Sequence, residues 1–350
     1  MPGSYGRSSH GYDWAVEITE TELVEALRRV LSGGGPGVRL GPGDDAALVE
    51  PGRHLGVLTV DMLVENVDFR RPGTSPRDLG YKAITVSVSD VAAMGGSPRF
   101  ALVALGIPPN MDASWVVELA AGMREAADEY ALSVVGGDLS RSTEAIVSVT
   151  LTGEVPETGA VPRSGARAGD RIVVTGSFGA AAGALKLERA PASSVAGVVG
   201  TPWARDLSVS LQRPVARVGE GRTLARAGAT AMIDVSDGLA LDLARVCRAS
   251  GVAGAVVLGH VPVSPALRQL ERVMPISPVQ LALEGGEDFE LLATLPPAAA
   301  KEAAAELQER YGTPLTDIGE IREGSGLVTI RADGSERPLE PRGWDHLAGR

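Results

Sequence analysis

Cysteine is almost absent from this 350-residue chain, with Cys247 the single example. One thiol excludes an intrachain disulfide framework and any cysteine-based metal cluster, which fits a reducing compartment and makes the cytoplasm the expected location. Cys247 lies in an Ala/Leu/Val-rich helical pattern and reads as a small core residue. Long apolar runs are missing too. None approaches the roughly 18 residues of a membrane span, and Met1 to Asp13 lack the basic-then-apolar order of a signal peptide. Basic charge is in the minority: 33 Lys plus Arg stand against 44 Asp plus Glu, a formal charge of -11, so a nucleic-acid partner is not expected. The four histidines (His10, His54, His260 and His346) have no ligand spacing. There is no Ser-His-Asp set, zinc motif, Walker lysine loop or kinase catalytic loop.

With 44% apolar residues the chain can bury a sizeable core, and its length favours two domains. Residues 1–17 read as a disordered leader, 18–157 as a first domain and 158–350 as a second. Thr19-x-x-Glu22 is a capping box opening an amphipathic helix, and Gly33, Gly34 and Gly35 end it. Val38 to Leu40 looks loop-like. Residues 55–60 read as a buried strand that delivers Asp61 at its end. Ser75-Pro76 opens a long helix through Met94, on which Leu79, Ala83, Val86 and Asp90 share one face, so the carboxylate points inward. Strand patterns at 99–106, 132–135 and 145–152 flank a helix near 113–130. After the turn-rich stretch 165–170, strands are expected at 171–175, 229–233, 252–258, 289–295 and 326–331. Helices are expected near 178–190, 214–227 (Pro214 in its first turn), 238–250 and 297–311, and 191–205 reads as a surface loop. The fold class is α+β, with a C-terminal α/β unit.

What the chain has in quantity is acid beside glycine: Gly43-Asp44-Asp45, Gly136-Gly137-Asp138, Asp234-Val235-Ser236-Asp237-Gly238 and Gly285-Gly286-Glu287-Asp288, with Asp61 and Asp90 against apolar runs. A buried carboxylate loses its hydration, so a converging set of them implies a cation between its members. Magnesium shares its shell between a few carboxylates, water and substrate phosphates, so the set reads as a Mg-nucleotide site. Each motif also has a plain structural reading. Gly43-Asp44-Asp45 is as well explained by a solvated turn, and Ser236 or Asp237 by an N-cap. Gly285 to Asp288 could equally be a glycine turn, and Arg163 is either a phosphate ligand or a surface arginine.

Taken in order, Gly41-Pro42-Gly43-Asp44-Asp45, Tyr81-Lys82-Ala83, Ser89-Asp90-Val91-Ala92-Ala93-Met94-Gly95, Gly136-Gly137-Asp138, Arg163-Ser164-Gly165, Arg213-Pro214, Asp234-Val235-Ser236-Asp237-Gly238, Gly286-Glu287-Asp288-Phe289 and Gly343-Trp344-Asp345-His346 resemble the thiamine-monophosphate kinase family. That family belongs to the superfamily of aminoimidazole ribonucleotide synthetase and selenophosphate synthetase. The resemblance implies a two-domain fold of that kind, a homodimer paired through N-terminal domains, and direct transfer of the ATP γ-phosphoryl group to thiamine monophosphate. It further implies Asp45, Thr59, Val60, Asp61, Asp90, Asp138, Asp234 and Asp237 as magnesium ligands, with Asp45, Asp90, Asp138 and Asp234 central to catalysis. Gly137, Asp138, Arg163 and Ser236 would contact ATP, and Asp68, Glu287 and Trp344 the acceptor. This chain departs from the family in having Asp68-Phe69 where a histidine precedes the Phe, and Thr59-Val60 where Ser-Thr is common. A sibling synthetase with another small acceptor and a non-catalytic nucleotide-binding homologue are the alternative readings.

Overall fold

The computed structural model describes residues 38–40, 44, 47–49, 55–109, 111–155, 159–195 and 197–345. The expected leader, the helix after Thr19, Asp45 and His346 lie outside the described residues. The first sheet contains β1 (Val38–Leu40), β2 (Ala47–Val49), β3 (Gly56–Val64), β4 (Ser97–Ile107), β5 (Ser133–Arg141) and β6 (Ile146–Glu154), in the order β1-β2-β3-β6-β4-β5. Helix α1 (Pro76–Ala93) joins β3 to β4, and α2 (Ala113–Glu129) joins β4 to β5. Val38 to Leu40 is therefore a strand and not a loop, its backbone paired antiparallel with β2.

β3 does not stop before Asp61. Its ladder with β6 runs to Val64, because the period-2 alternation continues through the acid. Val60 and Met62 face outward, while Asp61 and Leu63 face the helices. β5 likewise runs straight through Gly136-Gly137-Asp138, so Asp138 is mid-strand.

Ser75 caps α1, its hydroxyl accepting the backbone N–H of Asp78, and Pro76 fills the first turn, where a missing N–H costs nothing. The helix is buried on nearly every side. Two glycines let α2 lie directly on it. A Cβ at Gly80 would sit 1.9 Å from the Leu119 carbonyl oxygen, and one at Gly122 would sit 1.8 Å from that of Arg77. Across this contact Arg213 stacks on the Tyr81 ring at 4.0 Å and bonds Asp78 and Glu125.

The second unit begins with β7 (Arg171–Thr175), followed by α3 (Ala180–Glu188), α4 (Ala192–Val195), α5 (Pro202–Gln212), α6 (Val218–Arg226), β8 (Ala231–Val235), α7 (Leu239–Ser250) and β9 (Ala253–Val257). Then come α8 (Pro265–Leu270), α9 (Pro278–Glu284), β10 (Glu290–Leu295), α10 (Pro297–Tyr311), β11 (Leu315–Arg322), β12 (Gly326–Ile330) and β13 (Glu336–Pro338). Its sheet has the order β13-β12-β9-β11-β7-β10-β8. The expected loop at 191–205 contains α4 and the start of α5, whose two buried leucines, Leu207 and Leu211, lie beyond that stretch. Pro214 lies between α5 and α6 and not within a helix, since α6 starts at Val218.

Successive strand residues face opposite ways. Ile172, Val174, Ile233 and Leu292 join a core with α3, α7 and α8. Val173, Met232, Leu291 and Ala293 join another with α6 and α10. Ala93 at the end of α1 enters this last cluster, so α1 packs on the first sheet and plugs into the second unit. Cys247 is buried on α7, and burial pushes its thiol up to about 12.

Candidate active site

Helix α1 contacts acids of both sheets through hydroxyl bridges. Ser87 donates to Asp61 Oδ2 at 2.7 Å, and Ser89 donates to Asp234 Oδ2 at 2.6 Å. Thr59 donates its hydroxyl to Asp90 Oδ2. Because Thr59 meets Asp90 while Asp61 meets Ser87, α1 runs antiparallel to β3, and Asp61 and Asp90 are neighbours across the strand-helix contact. Asp234 reaches the same helix from β8 and is only 3% exposed. The hydroxyls supply part of what water no longer can.

After β8 the chain turns through Ser236, Asp237 and Gly238 into α7. Neither Ser236 nor Asp237 caps that helix. Asp242 does so from inside its first turn, accepting the Asp237 and Gly238 N–H groups at 3.1 and 3.2 Å. Burial pushes Asp242 up to about 7, against the pull of Arg245. Arg245 also bonds Asp237 at 2.6 Å, so Asp237 already has a cation. Beside this turn, the Glu287 N–H donates to the Ser236 carbonyl at 2.7 Å and the Phe289 N–H to Val235 at 2.9 Å. The fit needs Gly286, whose Cβ would stand 2.5 Å from the Ser236 oxygen. It also holds Glu287 and Phe289 at φ 67 and 51, a conformation non-glycine residues rarely adopt and one that clusters at functional sites. Trp344 closes the group, its N–H donating to the Asp237 carbonyl at 2.8 Å.

Glu287 points to Lys82 of α1, with Nζ 2.6 Å from Oε1. Lys82, with Glu287 behind it, lines a cleft of about 320 Å³ together with Asp68, Arg70, Glu188, Arg189 and Trp344. Burial raises the Glu188 carboxyl, with Lys82 opposing and Glu287 adding to the shift. Asp68 accepts the Val64 N–H at 2.8 Å, so one of its oxygens closes its own turn. On the far side, Asp44 accepts the Arg163 backbone N–H at 2.8 Å, and its other oxygen lies 3.7 Å from Arg163 Nε.

Two family models cover most of the chain: the AIR synthase related protein N-terminal domain matches residues 43–155, and the C-terminal domain matches residues 167–331. The thiamine-monophosphate kinase of Bacillus subtilis is 35% identical over 89% of this chain and 94% of its own length. That of Aquifex aeolicus is 35% identical over 95% and 99%. Among solved structures, AaThiL complexed with AMPPCP and TMP superposes with a TM-score of 0.80 at 33% identity, covering 94% of this chain and 97% of that one. The chain belongs to the thiamine-monophosphate kinase family. Its two AIR synthase related domains are the expected fold.

Not every residue expected of a thiamine-monophosphate kinase stands with the others. Thr59, Asp61 and Asp234 each bond to the α1 stretch from Ser87 to Asp90. The Val60 side chain faces the opposite side of β3. Asp138 is exposed on edge strand β5, in one row with Ala104, Ser148 and Met62. Gly137 is in the next row, with Val103, Val149 and Asp61. Within one chain, register therefore sets Asp138 on the face away from Asp61.

Among the described residues no group of three or more His, Cys, Asp or Glu side chains is positioned to hold an ion. The donor set still suits magnesium, which commonly takes one or two protein carboxylates and completes its octahedron with water and substrate phosphate. Sequence reasoning gave no role to Lys82, Glu188, Ser87 or Ser89. The available signal for Lys82 was the one cation between Leu79 and Ala93, a stretch dominated by apolar and small residues.

Proposed function

We infer that this chain transfers the γ-phosphoryl group of ATP to the phosphate of thiamine monophosphate, giving thiamine diphosphate. The observation that carries this reading is the sharing of α1: Lys82 near its start lines the Trp344 cleft and bonds Glu287, and its last turns bond Asp61 and Asp234 and carry Asp90. Donor and acceptor are both anions, so the reaction needs positioning and charge neutralisation more than proton transfer. Asp61, Asp90 and Asp234 would hold magnesium, with Asp45, Asp138 and Asp237 as further members of the family set. Magnesium, when bound, supplies the positive charge that lets two phosphates approach.

The rest falls to side chains. Arg163, braced by Asp44, would offer a guanidinium to the nucleotide phosphates, with Ser236 and Gly137 as further ATP contacts. Trp344 offers an aromatic face and Glu287 a carboxylate to the thiazolium cation of the acceptor. Asp68 lines the same cleft in place of the family's histidine. No general base is required, because the attacking phosphate oxygen is already ionised at neutral pH.

A homodimer completes the reading. Val60, Met62, Phe100 and Leu102 are 63%, 58%, 46% and 50% exposed on the sheet face turned away from α1 and α2, an apolar patch a second copy would cover. The boundary between domains falls at residues 157/158 in this reading, and the cytoplasm is its setting. No helix among the described residues is long and apolar enough to cross a membrane.

Purified protein incubated with ATP, MgCl2 and thiamine monophosphate should yield thiamine diphosphate and ADP in equal amounts, and EDTA should stop it. ADP without thiamine diphosphate would reject the acceptor; neither product would reject the kinase reading.

A further inference from the structure

Lys82 and Glu287 come from different halves of the molecule and neutralise each other at the wall of the cleft, which Lys82 lines while only 3% exposed. Leaving either charge in place without the other is costly. Arg70 and Arg189 line the same cleft, and among the described residues neither guanidinium makes an ion pair or hydrogen bond. The cleft thus holds one cation committed to an internal acid and two more facing solvent.

Helical geometry links this pair to the carboxylates. Ser89 follows Lys82 by seven positions, so both lie on one stripe of α1, about 10 Å apart along its axis. Both reach into the second unit, Ser89 to Asp234 and Lys82 to Glu287.

Resting on the kinase reading above, we propose that the acceptor enters by splitting this ion pair, its phosphate replacing Glu287 on Lys82 and its cationic ring taking the released Glu287 carboxylate. A zwitterion is the ligand that does this without leaving a buried charge uncompensated. Thiamine, which lacks the phosphate, would satisfy Glu287 and strand Lys82; inorganic phosphate would do the reverse. The pair is therefore a selectivity device for ligands carrying both charges, with Arg70 and Arg189 drawing the phosphate end inward.

Calorimetric titrations of wild type and Lys82→Met with thiamine monophosphate, thiamine and a non-hydrolysable ATP analogue test this. Lys82→Met should bind thiamine monophosphate about 30-fold more weakly, the size of one buried charge-assisted contact. It should bind thiamine at least as well as wild type, because Glu287 is already free, and the ATP analogue unchanged. Equal weakening of thiamine and its monophosphate would mean that Lys82 only holds Glu287 in position, and would overturn the proposal. So would unchanged binding of the monophosphate. Should Lys82→Met not fold, Lys82→Met/Glu287→Gln removes both charges and should lose the preference for monophosphate over thiamine; a preserved preference would overturn it. A wild-type protein that binds the ATP analogue but not thiamine monophosphate would instead reject the acceptor reading itself.

Discussion

Ser89 on α1 donates its hydroxyl to Asp234 on β8 at 2.6 Å, and both side chains are buried. One hydroxyl thereby connects a helix packed on the first sheet to a carboxylate of the second. Replacing it tests whether the two halves of the site depend on each other. Ser89→Ala removes one donor from a buried acid, which should cost about 1–3 kcal/mol of stability in a urea titration. Turnover should fall about tenfold or more, the usual effect of losing a group that orients a metal ligand. A variant as active as wild type would show that Asp234 needs no such support.

Asp90 is held by the Thr59 hydroxyl, and asparagine can accept the same bond through its Oδ1. Asp90→Asn should therefore melt close to wild type while losing turnover on the order of 100-fold, because charge stabilisation is removed and packing is not. Retained activity would remove Asp90 from the catalytic set. A collapse of the melting temperature would make it a folding residue instead.

Much of this site was legible as residue types and much less as placement. Ser75-Pro76 announced α1, and the inward position of Asp90 followed from its spacing with Leu79, Ala83 and Val86. Strand ends were misjudged where an acid or glycine interrupts an apolar run, as at Asp61 and Asp138, since a ladder ignores polarity so long as the alternation holds. Lys82 stood in a family motif without a role because its meaning depends on Glu287, 205 residues away, and spacing along a helix says nothing of what comes from another sheet. The capping role of Asp242 was hidden for a related reason: an acid inside the first turn did what Ser236 and Asp237 seemed placed to do.

Leu102 is half exposed on β4, in register with Thr150 and Val60 on the outward sheet face. If a second copy covers this face, Leu102→Glu puts a charge from each copy into an apolar contact. Sedimentation should then report a monomer where wild type sediments as a dimer, with the circular dichroism spectrum unchanged. Wild-type sedimentation at twice the chain mass in both proteins would place the dimer contact elsewhere.

Arg217 on the turn before α6 grips Glu290 of β10 with Nε and Nη2 at 2.8 and 2.6 Å, and Thr175 of β7 donates to the same carboxylate at 2.6 Å. Glu290 is 6% exposed, so Arg217→Ala leaves it buried with its cation gone, at about 3–5 kcal/mol. Arg217→Leu/Glu290→Leu should recover most of that loss, since paired apolar replacements are often neutral. Should the double variant be as unstable as the single, packing and not charge is what Arg217 contributes.

Asp288 gives the fold a pH dependence of definite sign. Its carboxyl accepts the Gly179 N–H at 2.9 Å at the start of α3, and burial raises it well above its ordinary value of 3.8, with Glu290 and Glu287 adding to the rise. A raised acid binds its proton more tightly folded than unfolded. The stability it contributes is therefore fully present below the ordinary carboxylate value and is lost as pH rises through the folded value. Asp288→Asn keeps an acceptor for Gly179 and cannot titrate. Urea midpoints measured at stepped pH should fall for wild type as pH climbs from the carboxylate range toward neutrality and should fall less steeply for Asp288→Asn. Parallel curves for the two proteins would mean that Asp288 is ionised in the folded state, balanced there by the α3 N-terminus.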